Sequence, residues 1–220
     1  MARAAVAKPR EALSKERIEL AALDLIEREG LAAFSTRKLA SELGCEAMSI
    51  YHYFPSKGHL MDALIDHVIA DVPPTPGPDV PWLERVRVMG RNVRRVFVSR
   101  PNLFMFVGTH RMNTPRALAW LNDGIALFEA SGLPHETAVR TFRAVSYYIM
   151  GAALDETAGY SRGPSTVEPV SDAAMQRDYA SVAAAGKYFS PDGFDRTFEL
   201  GWEMMLTGIA ELVKHHEAAK

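Results

Sequence analysis

Histidines, one cysteine and two adjacent carboxylates are the residues whose chemistry could support catalysis or metal binding. The chain has seven histidines, and Cys45 is its only cysteine. His215 and His216 lie next to the C-terminus, where a helix frays. Asp155 and Glu156 are adjacent, so on a helix they point to different faces and do not form a carboxylate pair. The chain also has no HExxH, P-loop or dinucleotide-binding motif. The sequence therefore predicts no catalytic residue, no metal site and no cofactor.

The composition is that of a globular protein of one ordinary domain, or of a small module joined to a larger one. Of its 220 residues, 48% are apolar and 24% are charged, with a net charge of −2. Binding to nucleic acid would therefore need a local basic surface. We find no secretory signal and no apolar run of about 18 residues, the length that a membrane span needs. These features predict a cytoplasmic protein without membrane contact.

Apolar residues recur at helical spacing along nearly the whole chain. Ile18 and Leu25, seven residues apart, belong to the stripe of a first amphipathic helix, which Gly30 would end. Ser35 and Thr36 both offer an N-cap for the second helix, and Ser56 can cap the fourth. No alternating strand pattern is bounded by turn residues. The predicted fold class is all-α, with an N-terminal three-helix helix-turn-helix domain followed by a larger helical domain.

A proline-rich segment divides the chain. Residues 72–78, VPPTPGP, cannot continue a helix and predict a stiff connector. The expected divisions are a helix-turn-helix domain at 1–71, a connector at 72–81 and a larger helical domain at 82–220. The expected elements of the second half are helices at 134–158, 171–185 and 191–216 and a loop at 159–169.

Residues 36–53 have the dimensions of a helix-turn-helix unit, in which a turn at Gly44 joins two short helices. Ala40 is small where the two helices would cross, and Ile50 would face inward. The residues left outward form a reading face of mixed polarity, which comprises Glu46, Ala47, Met48, Ser49, Tyr51 and His52.

The sequence from Thr36 to Leu64, TRKLASELGCEAMSIYHYFPSKGHLMDAL, resembles the DNA-binding segment of the TetR (tetracycline-repressor) family. That segment has a Thr-led helix, an Ala-x-x-x-Gly turn, an apolar-Tyr step, an aromatic-Phe step and a Lys that opens the next helix. The matching residues here are Thr36, Ala40, Gly44, Ile50, Tyr51, Tyr53, Phe54 and Lys57. The resemblance covers the first third of the chain.

The resemblance implies a role for individual residues. Thr36, Tyr51 and Lys57 occupy positions that commonly contact DNA phosphates. Arg37 occupies a position that can reach a base edge, where guanine is the usual partner of arginine. The other implied DNA-contact residues are Glu46, Ala47, Met48 and Ser49, in the first turn of the recognition helix, and His52 on the groove side.

Two residues depart from the family pattern. Met48 stands where many members have Gly or Pro, and Glu46 places an acid on a surface that must approach phosphates. Glu46 either accepts a hydrogen bond from a cytosine amino group or caps the recognition helix. The sequence leaves both alternatives open.

The resemblance also implies that the larger domain dimerises. Helices at 134–158 and 191–216 could meet their symmetry mates in a four-helix bundle. The small residues that would permit close approach are Ala144, Gly151, Ala152, Gly201 and Gly208. Periodicity alone leaves open the alternative that these helices pack only within one chain.

The resemblance further implies that the larger domain holds a small-molecule effector. An apolar, aromatic wall favours an uncharged or weakly polar effector of aromatic or lipid-like character, although plain core packing is the alternative for such residues. The candidate ligand-binding residues are Phe104, Phe106, Thr109, His110, Trp120, Phe128, Tyr147, Tyr148 and Asp155. A run of arginines, which comprises Arg85, Arg87, Arg91, Arg94 and Arg95, is either a solvated helix face or an anionic-ligand site.

The resulting hypothesis is a homodimeric transcriptional repressor that binds double-stranded DNA at a palindromic operator and is released by a small-molecule effector. One alternative within the same class is an activator, or a repressor controlled by a protein partner. The alternative outside it is a helical ligand-binding protein or enzyme that retains a vestigial helix-turn-helix head.

Overall fold

The computed structural model describes residues 12–157 and 169–219, except for the side chains of Met105 and Thr109. The described residues form helices and contain no strand, so the predicted all-α fold is confirmed. The helices are α1 (Lys15–Glu29), α2 (Thr36–Leu43), α3 (Ala47–Tyr51), α4 (Lys57–Asp71), α5 (Trp82–Ser99), α6 (Pro101–Thr109), α7 (Pro115–Glu129), α8 (His135–Thr157), α9 (Asp172–Asp178), α10 (Ala180–Ala185) and α11 (Phe194–Ala218).

Serine caps fix where the N-terminal helices begin. The hydroxyl of Ser35 accepts a hydrogen bond from the backbone N–H of Lys38 at 3.2 Å, and Ser56 caps α4 in the same way through His59. Gly44 ends α2 in the left-handed conformation at φ 67°, which glycine adopts without a steric penalty. These local contacts orient α3 against α2, and Ile50 anchors α3 in the core with 1% of its surface exposed.

The segment from 72 to 81 contains no helix and joins α4 to α5. Helix α5 begins at Trp82, with Pro81 at its N-cap. The long helices of the second half lie close to the predicted ranges, since α8 is His135–Thr157 and α11 is Phe194–Ala218. Of the predicted loop at 159–169, residues 159–168 lie outside the described residues.

One helix predicted in the second half is wrong. The expected helix at 171–185 is two short helices, α9 and α10, that meet at Tyr179 with φ −135° and ψ 47°. Neither helix contains a buried residue. Tertiary packing is what stabilises most helices in proteins, so helical propensity alone does not hold this segment straight.

The arginine run of α5 forms ion pairs with other helices, so neither interpretation from the sequence describes its central members. Each of three arginines reaches a carboxylate of α8 or α11, and Arg94 reaches one on each. The pairs and their N–O distances are Arg87–Glu203 (2.7 Å), Arg91–Glu199 (2.5 Å), Arg94–Glu156 (2.8 Å) and Arg94–Asp195 (2.7 Å). These contacts fasten α5 to α8 and α11.

Trp202 of α11 is fully buried and lies directly against the backbone of α5 at Gly90. A Cβ atom at Gly90 would lie 2.3 Å from the Cζ2 atom of Trp202. We therefore expect Gly90→Ala to lower the free energy of unfolding by about 1–3 kcal/mol, because a rigid indole ring or the helix must shift. Urea denaturation followed by circular dichroism would measure the change.

Gly58→Ala is the matched control, since Gly58 also lies in a helix but its Cβ would meet only the Ser56 hydroxyl, at 3.4 Å. The control should leave stability unchanged or raise it by up to about 1 kcal/mol. Equal effects of the two substitutions would contradict the close packing of Trp202 on α5.

Candidate nucleic-acid interface and ligand cavity

Helix α3 and the two residues that flank it present half of the predicted reading face to solvent. Glu46, Met48 and His52 are exposed, with Met48 at 65%, whereas Ala47 and Ser49 are half-buried. A methionine side chain that is exposed to this degree has no packing role within the chain. The helix therefore offers a side-chain surface that a partner, and not the core, would contact.

Three residues implied to contact phosphates lie around the start of α2 and α4. The hydroxyls of Thr36 and Tyr51 are hydrogen-bonded at 3.2 Å, which joins the first residue of α2 to the last residue of α3. The Lys57 ammonium lies 3.4 Å from the carbonyl oxygen of Phe34 and 5.2 Å from its ring centroid. The chain thus holds two hydroxyls and a cation in place beside the reading face.

Arg37 and Glu46 are exposed and available for contact. Arg37 follows Thr36 on α2 and has no ion-pair partner among the described residues. Glu46 occupies the N-cap position of α3, but its side chain makes no capping hydrogen bond. Of the two alternatives for Glu46, capping is not observed, and its carboxylate is left free on the reading face.

Ion pairs within α1 and between α1 and α2 neutralise acidic side chains of the N-terminal helices. Arg28 contacts Glu42 at 2.5 Å and Asp24 at 2.9 Å, and Lys38 pairs with Glu29. The hydrogen bond from Lys38 lowers the pKa of Glu29, and the bond to Glu42 raises the pKa of Arg28. Our sequence analysis missed these pairs; only Asp24 and Arg28 had a local signal, the i,i+4 spacing.

A cavity of about 490 Å³ lies among α5, α6, α7 and α8. Of the predicted ligand-binding residues, His110, Trp120 and Tyr147 line it. The other lining residues are Met89, Val93, Phe97, Val107, Gly108, Arg111, Met112, Leu121, Phe142, Arg143, Val145, Ser146, Ile149 and Met150. The wall is mainly apolar, as expected, but it also carries two guanidinium groups that we had not proposed as ligand-binding.

Two predicted wall residues lie in the packed core instead. Phe128 is completely buried and meets Phe142 edge-on at 6.0 Å between ring centroids, and Phe104 is 2% exposed and packs 5.1 Å from Phe97. Aromatic type and helical spacing do not show which face of a helix turns toward a cavity. That information depends on how the neighbouring helices are placed.

The other predicted wall residues are separated from this cavity. Phe106 packs behind it, 4.5 Å from the His110 ring. Tyr148 and Asp155 line a different cavity of about 630 Å³ beside α11, because each step along a helix turns the side chain by about 100°. The side chain of Thr109 lies outside the described residues.

Polar contacts join the cavity wall to α4, the helix that follows the reading face. His110 Nε2 lies 2.7 Å from the Asp62 carboxylate, and the Thr114 hydroxyl donates to Asp66 one turn further along α4. Glu27 of α1 accepts hydrogen bonds from the backbone N–H groups of Asn102 and Leu103, at 3.1 Å each. The start and the end of α6 are thus both tied to the N-terminal helices.

These features define a helix-turn-helix protein with a separate cavity-bearing helical part. Residues 19–64 match the model of the family described as bacterial regulatory proteins, tetR family. Residues 74–213 match the model described as tetracyclin repressor-like, C-terminal domain. The chain belongs to the TetR family and is a DNA-binding transcriptional regulator.

Named relatives resemble the chain over most of its length. The HTH-type transcriptional repressor DrrR1 of Streptomyces coeruleorubidus is 28% identical over 93% of this chain and 80% of its own. The tetracycline repressor protein class A from transposon 1721 of Escherichia coli is 28% identical over 87% of this chain and 88% of its own. Among solved structures, that of Streptomyces coelicolor ActR in complex with actinorhodin superposes on this chain with a TM-score of 0.70. The two sequences are 26% identical, and the match covers 92% of this chain and 99% of ActR.

Residues 12–157 and 169–219 contain no helix that is long and apolar enough to cross a membrane. They also contain no group of three or more His, Cys, Asp or Glu side chains that could hold a metal ion.

Proposed function

We propose that this regulator is a homodimeric repressor that binds a palindromic operator and releases it when a small molecule enters the cavity lined by His110. The observation that carries this proposal is the contact between that wall and α4, through His110 and Asp62. It connects a cavity of ligand size to the helix that follows the reading face. The sequence divisions at 1–71, 72–81 and 82–220 are proposed to be the operator-binding part, the connector and the effector-binding and dimerising part.

In this proposal, α3 enters the major groove and its neighbours grip the backbone. The proposed phosphate contacts are Thr36, Tyr51 and Lys57, which lie beside the reading face. Arg37 is proposed to read a guanine edge. The first turn of α3 and the residue after it supply the remaining proposed contacts: Glu46, Ala47, Met48, Ser49 and His52.

Two substitutions test the proposed contacts against each other. Lys57→Ala should weaken all operator sequences alike and reduce the slope of log affinity against log salt by about 1, because one phosphate contact is lost. Arg37→Ala should cost about 1–3 kcal/mol and relax the preference at one base position. The operator would first be selected from random duplex DNA. Fluorescence anisotropy with this operator and its single-base variants, at several salt concentrations, would then measure both effects.

Arg95→Ala is the control, since Arg95 is an exposed arginine on α5, far along the chain from the reading face. It should leave affinity and salt dependence as in the wild type. Wild-type operator binding by both test variants would contradict this assignment of the interface.

The proposed dimer interface is an apolar face on α8 and α11. Leu200, Met204 and Leu212 are 66%, 68% and 42% exposed, and with Gly208 they form a ridge at four-residue spacing along α11. A shallow groove lies beside it and includes Ala144 of α8. Large exposed apolar residues in one ridge are typical of a surface that another chain covers, and a two-fold axis would pair these helices with their mates.

Release requires only that the effector bind the DNA-competent and DNA-incompetent states with different affinity. An effector that displaces the end of α6 would act on Asp62 and Asp66 through His110 and Thr114. Since α4 begins at Lys57, this displacement would reach the proposed phosphate contacts. Linkage is reciprocal, so operator DNA should weaken effector binding by the same factor.

The proposal includes no catalytic activity. Residues 159–163, GYSRG, match the letters of the G-x-S-x-G nucleophile motif. That motif needs a strand directly before it and a helix directly after it, whereas the element that precedes these residues is α8, which ends at Thr157. An enzyme with a vestigial head would turn over the ligand it binds, and this turnover is the observation that would favour that alternative.

A further inference from the structure

The charged groups on the wall of the 490 Å³ cavity are all cationic or able to become so. Arg111, at the end of α6, and Arg143, on α8, line the cavity together with His110. No aspartate or glutamate lies on this described wall, although the whole chain carries a net charge of −2. The net charge of the cavity wall is therefore positive, whereas the net charge of the whole chain is negative.

These two arginines also differ from those that hold the fold together. Arg87, Arg91 and Arg94 each pair with a carboxylate of another helix. Neither Arg111 nor Arg143 has an ion pair with a carboxylate within residues 12–157 and 169–219. Their charge is not matched by the chain itself.

Arg143 is an exposed side chain that contacts an aromatic neighbour. Its guanidinium carbon lies 5.0 Å from the ring centroid of Tyr147, one helical turn along α8, and its Nη2 donates to the Tyr147 hydroxyl at 2.5 Å. Cation–π contact of this kind leaves the remaining N–H groups of the guanidinium free to bind an anion. His110, in contrast, already has a carboxylate partner in Asp62.

We propose that the effector is an aromatic anion: a planar apolar body that lies against Trp120 and the methionines of the wall, with a carboxylate, sulfonate or ionised phenol held by Arg111 and Arg143. This inference rests on the proposed effector function of the cavity. It replaces the expectation of an uncharged effector, which followed from apolar residues alone. Guanidinium groups are suited to this role because they donate two parallel hydrogen bonds to an oxyanion.

A pair of fluorescent probes tests the charge directly. 8-Anilinonaphthalene-1-sulfonate carries the sulfonate, and N-phenyl-1-naphthylamine has the same ring system without it. Both would be titrated into the full-length wild type and into Arg111→Gln, Arg143→Gln and the double variant. The double variant should lose at least about tenfold in affinity for the sulfonate, because charge-assisted hydrogen bonds are lost, and bind the neutral probe as the wild type does.

Two further variants locate the binding and control for surface charge. Arg95→Gln removes an exposed guanidinium from α5 but not from the cavity wall, and should change neither titration. Ser146→Trp places a large ring at a half-buried wall position and should weaken binding of both probes. Circular dichroism would verify that each variant is folded.

The outcomes separate this inference from the function on which it rests. If Ser146→Trp weakens both probes while the arginine variants bind the sulfonate as the wild type does, the cavity binds ligands but the anionic class is wrong. If Ser146→Trp changes neither titration, the cavity itself is not the binding site, and both the inference and the proposed effector site fail. A selective loss of the sulfonate in the arginine variants supports the inference.

Discussion

Replacing Leu200 and Met204 with glutamate is expected to abolish operator binding while leaving each chain folded. Both side chains are about two-thirds exposed in the single chain, so the substitution creates no cavity in its core. In a two-fold dimer, however, this face would bring four added carboxylates together. Separated chains would each bind one half-site without the advantage of linkage, so operator affinity should fall by roughly 100-fold or more. Analytical ultracentrifugation and operator anisotropy would measure the two effects together.

Leu118→Glu is the control for this pair. Leu118 lies on α7 and is 52% exposed, but it belongs to no part of the proposed dimer face. The control should remain dimeric and bind operator as the wild type does. A double glutamate variant that stays dimeric would place the interface elsewhere on the chain.

Glu156→Ala is expected to produce the largest loss of stability of the substitutions considered. The Arg94–Glu156 pair joins α5 to α8, and the two side chains are only 14% and 6% exposed. Burial opposes the charge of Arg94, yet its hydrogen bonds with Glu156 and Asp195 outweigh burial and raise its pKa. Removing Glu156 leaves a largely buried guanidinium whose one remaining carboxylate partner is the exposed Asp195, which should lower the free energy of unfolding by about 3 kcal/mol. Urea denaturation at neutral pH would measure it.

An exposed ion pair on the same helix provides the matched comparison. Arg140 and Glu136 form an i,i+4 pair whose side chains are 77% and 76% exposed. Glu136→Ala should cost no more than about 0.5 kcal/mol. If Glu156→Ala were as mild as this control, the buried pair would contribute little to the attachment of α5.

The parts of the fold that sequence predicted well are those with local causes. Ser35 and Ser56 cap helices because a hydroxyl reaches a backbone N–H three residues later, and Gly44 ends α2 because glycine tolerates positive φ. The helix-turn-helix unit is built from such signals over a short stretch. Its elements could therefore be placed before any tertiary contact was known.

The features that sequence did not predict depend on contacts between distant residues. The carboxylates of α8 and α11 that pair with the α5 arginines lie more than 60 positions away in the sequence. The sequence alone therefore suggested a solvated helix face or an anionic-ligand site for these arginines. Arg143 drew no attention as a wall residue because only the packing of α6 against α8 brings it to the same cavity as Arg111. Phe128 was expected on the cavity wall but lies in the core, and sequence could not distinguish the two because a phenylalanine suits either place.

The most direct test of the central claim is selection of bound sequences from random duplex DNA by the purified wild-type protein at fixed salt, followed by sequencing. We expect enrichment of one palindrome whose half-sites are about one helical turn, roughly 10 bp, apart, because two copies of α3 would read successive major grooves. Absence of any enriched palindrome, from protein shown to be folded and dimeric, would contradict a two-fold operator-binding repressor.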